Sequence, residues 1–262
     1  MVSRSPDSSW CPTELGTEVV GRSIRYYPRI DSTNEQVRRL AEAGEAEGTV
    51  VVADTQIAGR GRRGRRWLDE PGQALLFSVL LRPICEQSQM AILSLGVAAA
   101  CAESLISGYS IPIVTKWPND LLIAGDKVGG ILLEQRGSGV VVGVGLNVNG
   151  RPEVLQAQVG APLTTLEEHY GAPLPRKEVL VSILEKIDDI YQQFQGGRFA
   201  EVVDRYRRFE SVLGRKVCVR VEQEVVCGIA MALTDSGALV VNTLDGECEI
   251  VAGEVELVAG SE

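Results

Sequence analysis

The stretch from Ile113 to Val148 limits the fold more than any other part of the chain. It reads as a short strand at Ile113–Lys116, a strand at Leu121–Ile123, a Gly125-Asp126 turn and a strand at Lys127–Arg136. A second turn at Gly137-Ser138-Gly139 leads into a strand at Val140–Val148. Strands joined by tight turns pair antiparallel, because a parallel neighbour needs a crossover of roughly a dozen residues or more. An all-parallel sheet is excluded here.

The flanking segments carry helical signals, which makes the class α+β. Ser32 and Glu35 have the spacing of a capping box, with Val37, Leu40 and Ala41 on one apolar face behind it. Met90–Ile106 reads as a buried helix. Val179, Leu180, Ile183, Leu184, Ile187, Tyr191 and Phe194 recur at helical spacing, and a further helix is expected over 198–209. Thr17–Ile30 looks extended, and Thr49–Ala53 and Ala74–Leu81 read as strands. From Gly214 onward, short β-branched runs at 217–221, 225–233, 238–243 and 247–251 are split by turns such as Asp235-Ser236-Gly237 and Asp245-Gly246. That pattern predicts a small all-β module, a barrel by expectation. The expected division is a flexible arm at 1–16, rich in Ser, Pro and Thr, a main domain at 17–210 and the β-module at 211–262.

Composition removes several chemistries. A single histidine among 262 residues excludes sites built on two or three histidine ligands, and a Ser-His-Asp or Cys-His hydrolase would rest on His169 alone. None of the six cysteines forms a C-x-x-C pair, so buried reduced thiols are expected rather than a disulfide framework or a zinc site. No basic segment followed by an apolar core opens the sequence. The most apolar stretch of the Met90–Ile106 helix, Met90–Ala102, is 13 residues before the charge of Glu103 interrupts it, short of the about 20 that a bilayer requires. These features predict a cytoplasmic protein with no membrane partner.

The net charge is −9, yet five of the 26 positive charges fall at Arg60, Arg62, Arg63, Arg65 and Arg66. Gly59-Arg60-Gly61-Arg62-Arg63-Gly64 matches the letters of a dinucleotide fingerprint and fails its context. No helix opens at the motif, and the segment some 20 residues on, Leu80-Leu81-Arg82-Pro83-Ile84, holds no acid. The lysine and hydroxyl residue of a P-loop are also missing. The glycines allow close backbone approach and the guanidiniums suit phosphate or carboxylate. Crowded like charges should leave the loop mobile until an anion arrives. A solvated basic loop or a nucleic-acid patch is the rival reading.

Lys116-Trp117-Pro118-Asn119-Asp120 stands at a strand end, and Lys127-Val128-Gly129-Gly130 opens the next long strand. A glycine pair within a strand marks close approach of a ligand or backbone. Asp120 and Lys127 flank one hairpin, so their side chains can meet across it. Asp31-Ser32-Thr33-Asn34 offers short polar groups at a helix start.

Together with Gln56, Trp67 and Gly143-Val144-Gly145-Leu146-Asn147-Val148-Asn149, these motifs in this order resemble the biotin protein ligase family over roughly residues 20–150. Gly253-Glu254-Val255 resembles the family's small SH3-like domain more weakly. The resemblance implies a mixed sheet flanked by helices, like the class II aminoacyl-tRNA synthetases, with a C-terminal SH3-like barrel. It implies formation of biotinyl-5′-AMP from biotin and Mg-ATP, then transfer of biotin to a lysine of a biotin carboxyl carrier domain.

By the same resemblance, Ser32, Thr33, Asn34 and Gln56 would hold the ureido ring, and Arg60, Gly61, Arg62 and Arg65 would belong to the closing loop. Trp67 would border the nucleotide, and Lys127 would contact the biotin carboxylate and the reacting phosphate. Asp120, with Asn119, would orient Lys127 or the incoming lysine. Gly129, Gly130 and Ile131 would offer backbone groups, and Asn147 would lie near the adenine. The catalytic set is Lys127, Asp120 and Arg62. Mg²⁺ would ride mainly on the ATP phosphates, with Asp120 as a further ligand. The region similar to the family's catalytic part starts near residue 17, so a ligase without operator binding is expected, with no nucleic-acid partner, as a monomer or homodimer. A lipoate-type carrier acylase of similar fold is the alternative, and a nucleic-acid-binding protein using the arginine loop a remote one.

Overall fold

The computed structural model describes Trp10 and residues 15–136 and 139–258; most of the expected arm and the centre of the Gly137-Ser138-Gly139 turn lie outside them. Seven strands form the main sheet: β1 (Ser23–Tyr27), β2 (Thr49–Ala53), β3 (Leu75–Leu81), β4 (Val114–Lys116), β5 (Asp120–Ile123), β6 (Asp126–Arg136) and β7 (Gly139–Leu146), in the order β1-β2-β3-β7-β6-β5-β4. Every pairing is antiparallel except β1 with β2. That pair is parallel because helix α1 (Thr33–Glu42) makes the crossover between them. Only 23–27 of the extended 17–30 segment joins the sheet. The N–H groups of Glu18, Val19 and Val20 are instead taken at 2.8–2.9 Å by the buried carboxylate of Asp188.

Alternation along the strands assigns the two faces. Leu75, Phe77, Val79 and Leu81 of β3 and Val140, Val142, Val144 and Leu146 of β7 enter the large core. That core is filled by helices α2 (Met90–Tyr109), α5 (Arg176–Gln195) and α6 (Phe199–Arg207). Val51, Leu80 and Val141 turn the other way, onto Val37 and Leu40 of α1. On that same face the strands carry Ser78, Gly143 and Gly145 where apolar side chains would otherwise stand, and this is where the cavity forms. Two short helices missed from the sequence, α3 (Pro152–Val159) and α4 (Leu166–Tyr170), follow β7.

The helix expected over Met90–Ile106 extends three residues further, to Tyr109, and passes through Glu103. It runs 20 residues, and the acid is neutralised by Arg205 of α6, with Nε donating to it at 2.8 Å. By length and composition the segment Gln87–Tyr109 could cross a membrane; here it is the core helix, buried over most of its length. A Cβ on Gly96 would stand 2.6 Å from Ile190 and 2.7 Å from Val202, so α2 meets α5 and α6 at the closest approach a glycine allows.

The C-terminal segment forms five strands, β8 (Lys216–Val221), β9 (Glu224–Leu233), β10 (Leu239–Thr243), β11 (Gly246–Ile250) and β12 (Glu254–Leu257), in the order β11-β10-β9-β8-β12. The expected barrel is not closed: β11 and β12 lie at opposite edges, and the four residues of β12 pair only with β8. The thiol expectation also fails in part. Cys218 and Cys227 form a disulfide with Cα atoms 4.1 Å apart, while Cys85, Cys101 and Cys248 are free. The reason is register. A hairpin turning at Glu222-Gln223 places Cys218 directly opposite Cys227. Part of the join between this segment and the main domain is made at Gly237, whose carbonyl accepts from Trp117 Nε1 at 3.0 Å and against which Leu95 of α2 packs.

Candidate active site

A cavity of about 500 Å³ opens on the α1 face of the main sheet. Its polar floor comes from the start of α1. Ser32, Thr33 and Asn34 are 4%, 3% and 5% exposed. Ser32 occupies the N-cap position but its hydroxyl makes no cap hydrogen bond, so the expected capping box is absent. Glu35 is engaged by guanidiniums instead: Arg38 holds its carboxyl below the usual range, with Arg39 and Arg60 adding to the effect. Gln56 Oε1 accepts from the Thr33 N–H at 2.7 Å. Gln56 is itself held by Asp69, whose carboxylate accepts from the Gln56 N–H and the Thr55 hydroxyl while burial pushes its pKa up.

The glycines of β7 make the space. A Cβ on Gly143 would lie 2.1 Å from Asn34 Oδ1, and one on Gly145 would lie 2.6 Å from the Trp67 ring. Trp67 therefore packs flat on strand backbone, and its buried Nε1 has no hydrogen-bond partner. A buried donor left unpaired costs about 1–3 kcal/mol, so it marks a place for a ligand acceptor.

The lysines come from the hairpin, as its spacing predicts. Lys127 Nζ lies 2.5 Å from Asp120 Oδ1, and Lys116 Nζ lies 3.6 Å from Asp120 Oδ2. Asn119 is locked to β6 in both directions, its Nδ2 donating to the Ile131 carbonyl and its carbonyl accepting the Ile131 N–H, each at 2.9 Å. Asn147 Nδ2 donates to the Thr164 carbonyl at 3.2 Å.

The arginine loop is not the unanchored segment that charge repulsion predicts. Arg60 reaches Glu35 at 3.2 Å and Glu134 at 3.5 Å, and Arg66 donates to the Ile57 carbonyl. The others turn to the C-terminal sheet. Arg62 donates to Asn119 Oδ1 at 2.8 Å and to the Gly253 carbonyl at 3.3 Å; Arg63 donates to the Arg220 carbonyl; Arg65 pairs with Glu254. Burial and then the neighbouring Arg63 charge lower the Arg62 pKa, against the Asp120 and Glu254 carboxylates, which raise it. Arg65 holds the Glu254 carboxyl below its usual range.

Of the residues singled out from the sequence, Ser32, Thr33, Asn34, Gln56, Arg60, Gly61, Arg62, Arg65, Trp67, Asn119, Asp120, Lys127, Gly130, Ile131 and Asn147 all border this one cavity. Gly129 does not. It sits on the opposite face of β6, where a Cβ would meet the Gly145 carbonyl at 2.9 Å, so strand packing and not ligand approach requires it.

The pattern of the biotin/lipoate A/B protein ligase family matches residues 26–150, and that of the biotin protein ligase C-terminal domain matches 212–258. The biotin–[acetyl-CoA-carboxylase] ligase of Paracoccus denitrificans is 34% identical over 87% of this chain and 97% of its own length. The bifunctional ligase/repressor BirA of Bacillus subtilis is 31% identical over 93% of this chain and 76% of its own length. The chain belongs to the biotin protein ligase family. Biotin protein ligase from Aquifex aeolicus, solved in complex with biotin and ATP, superposes with a TM-score of 0.80 and 33% identity, covering 90% of this chain and 99% of that one.

Glycines Gly143 and Gly145 alternate on one strand face, which is the sequence signal for close approach on that face. Parts of this biotin protein ligase cavity lie outside the motifs. Leu155, Val159 and Leu163, from α3 and the segment after it, form an apolar wall with no motif of its own. Gly253 and Glu254 complete the rim from across the molecule.

Proposed function

We propose that the chain joins biotin to ATP as biotinyl-5′-AMP and then transfers biotin to a lysine of a biotin carboxyl carrier domain. The observation that carries this reading is the single cavity holding a neutral polar floor, the Lys127–Asp120 pair and the arginine loop together. The relatives' names, and the biotin and ATP bound in the Aquifex structure, support the same substrates.

In the first step a biotin carboxylate oxygen attacks the α-phosphorus of ATP, and the α–β bridging bond breaks to release pyrophosphate. The carboxylate is ionised at neutral pH, its ordinary pKa being about 4, so no general base is required. What the step needs is counter-charge as one anion approaches another, and Lys127, Arg60 and Arg62 supply it. Asp120 fixes the Lys127 ammonium. Ser32, Thr33, Asn34 and Gln56 seat the ureido ring, the backbone at Gly130 and Ile131 runs along biotin, and Trp67 and Asn147 border the nucleotide. Magnesium would arrive on the phosphates. Both Asp120 oxygens already face lysines, and no group of three metal-ligating side chains occurs among the described residues.

In the second step the acceptor amine, ordinarily near pKa 10.4, loses its proton with assistance from Asp120, attacks the acyl carbon and expels AMP. Gly61, Arg62 and Arg65 belong to the loop that shields the adenylate from water. The reading includes a cytoplasmic location, a monomer or homodimer, and no operator binding. The deciding experiment is exchange of labelled pyrophosphate into ATP. Exchange that depends on biotin is expected, and exchange that responds to lipoate and not to biotin would overturn the proposal.

A further inference from the structure

β3 carries one polar residue in an otherwise apolar run: Ser78, fully buried on the cavity face of the sheet. Its Oγ lies 2.7 Å from Thr33 Oγ1 and 2.6 Å from Asn34 Oδ1, yet a serine has one proton to donate. The neighbours decide where it goes. Asn34 Nδ2 donates to Glu134 Oε2 at 2.8 Å, which fixes the amide, because the flipped orientation would set its oxygen against a carboxylate. Asn34 Oδ1 can only accept, so the Ser78 proton goes there.

Thr33 Oγ1 must then bring its own proton to the Ser78 contact. Its other acceptor, Gln56 Oε1, is 3.2 Å away and already receives the Thr33 N–H. The result is a chain that runs one way, from Thr33 through Ser78 and Asn34 to Glu134. Arg60 Nη2 lies 3.5 Å from that same Glu134 oxygen.

We propose that Ser78 and Glu134 are positioning residues that set the donor and acceptor pattern of the cavity floor and couple it to Arg60. This rests on the reading of the cavity as a biotin site. With its proton spent on Ser78, Thr33 Oγ1 offers only lone pairs to a ligand. With Oε1 occupied, Gln56 offers only its amide protons. A cyclic urea matches that pattern: a ring N–H donates to Thr33 and the ring carbonyl accepts from Gln56 or Ser32. A dithiolane ring has neither group, so the ordered floor also discriminates against lipoate. Through Glu134, the floor and the loop arginine share one carboxylate.

The test is a double-mutant cycle read by pyrophosphate exchange, with biotin and ATP titrated separately. Ser78→Ala is expected to raise the biotin KM about tenfold, as for an unsatisfied buried group, and to leave the ATP KM within about twofold. Glu134→Gln is expected to raise the biotin KM less and to speed release of the adenylate. Ser78→Thr, which keeps the hydroxyl, should recover most of the loss. The double variant should lose less than the product of the single effects, because a chain is broken only once. Single effects that multiply, or equal rises in the biotin and ATP KM values, would overturn the chain while leaving the ligase reading intact. A parent enzyme with no biotin-dependent exchange takes both readings down.

Discussion

The floor of the cavity and the loop beside it hold polar groups in contrasting environments. Ser32, Thr33 and Asn34 are neutral and at most 5% exposed, and Thr33 and Asn34 are bonded to Gln56 and the buried Ser78. Arg60 and Arg65 are charged, 41% and 64% exposed at their side chains, and paired with carboxylates. Breaking a buried hydrogen bond leaves a donor or acceptor stranded at about 1–3 kcal/mol, whereas an exposed ion pair contributes about 0–1 kcal/mol. The floor is therefore stiff and selects the ligand. The loop can exchange Glu35, Glu134 and Glu254 for substrate anions at small cost.

Lys127→Ala tests whether charge at the hairpin dominates both regions. It should lower biotin-dependent pyrophosphate exchange by about a thousandfold, in the range seen when a charge-stabilising group is removed; near-parental exchange would remove Lys127 from the site. Gly143→Ala attacks the floor alone. Its new methyl must displace Asn34, a strain of roughly 1–3 kcal/mol, so the biotin KM should rise about thirtyfold with the ATP KM little changed. An unchanged biotin KM would show that the floor is not stiff.

Glu254→Ala addresses the loop alone. It should change the ATP KM by no more than about threefold, and the change should shrink in high salt, as expected of exposed pairs. A large, salt-independent loss would make the loop as rigid as the floor. The smallest effect is that of pH. Glu254 and Glu35 are lowered by their arginines, so their support of the loop is full above the ordinary 4.5 and is lost as pH falls through the lowered values. Asp69, beneath Gln56, is raised by burial, so its contribution is full below the ordinary 3.8 and is lost as pH rises through the raised value. Acidification should thus expose the 60–66 loop to protease before it disturbs the segment around Gln56. Simultaneous exposure of the two would erase the contrast.

What could be read from the sequence follows the reach of each interaction. Lys127 and Asp120 meet because seven residues of one hairpin separate them. The arginine cluster is equally visible, but its partners are not: Arg62 finds Gly253 across 191 positions and Arg65 finds Glu254 across 189. Gly129 and Gly130 look alike as letters, and strand alternation sends only Gly130 to the cavity. The Cys218–Cys227 pairing was within reach of register counting across the Glu222-Gln223 turn, whereas C-x-x-C spacing is silent about it.

The sequence by itself determined the strand runs, the long helices, the order of the motifs and the chemistry their side chains can perform, because periodicity and residue type act over a few positions. The tertiary structure alone decided that the β-module stays open and completes the rim of the cavity. It also paired two cysteines and made a lone serine in an apolar strand the junction between Thr33 and Asn34. Those outcomes depend on contacts between distant segments, such as Asn34 with Glu134 across 100 residues, and no local pattern encodes which distant groups will be buried together.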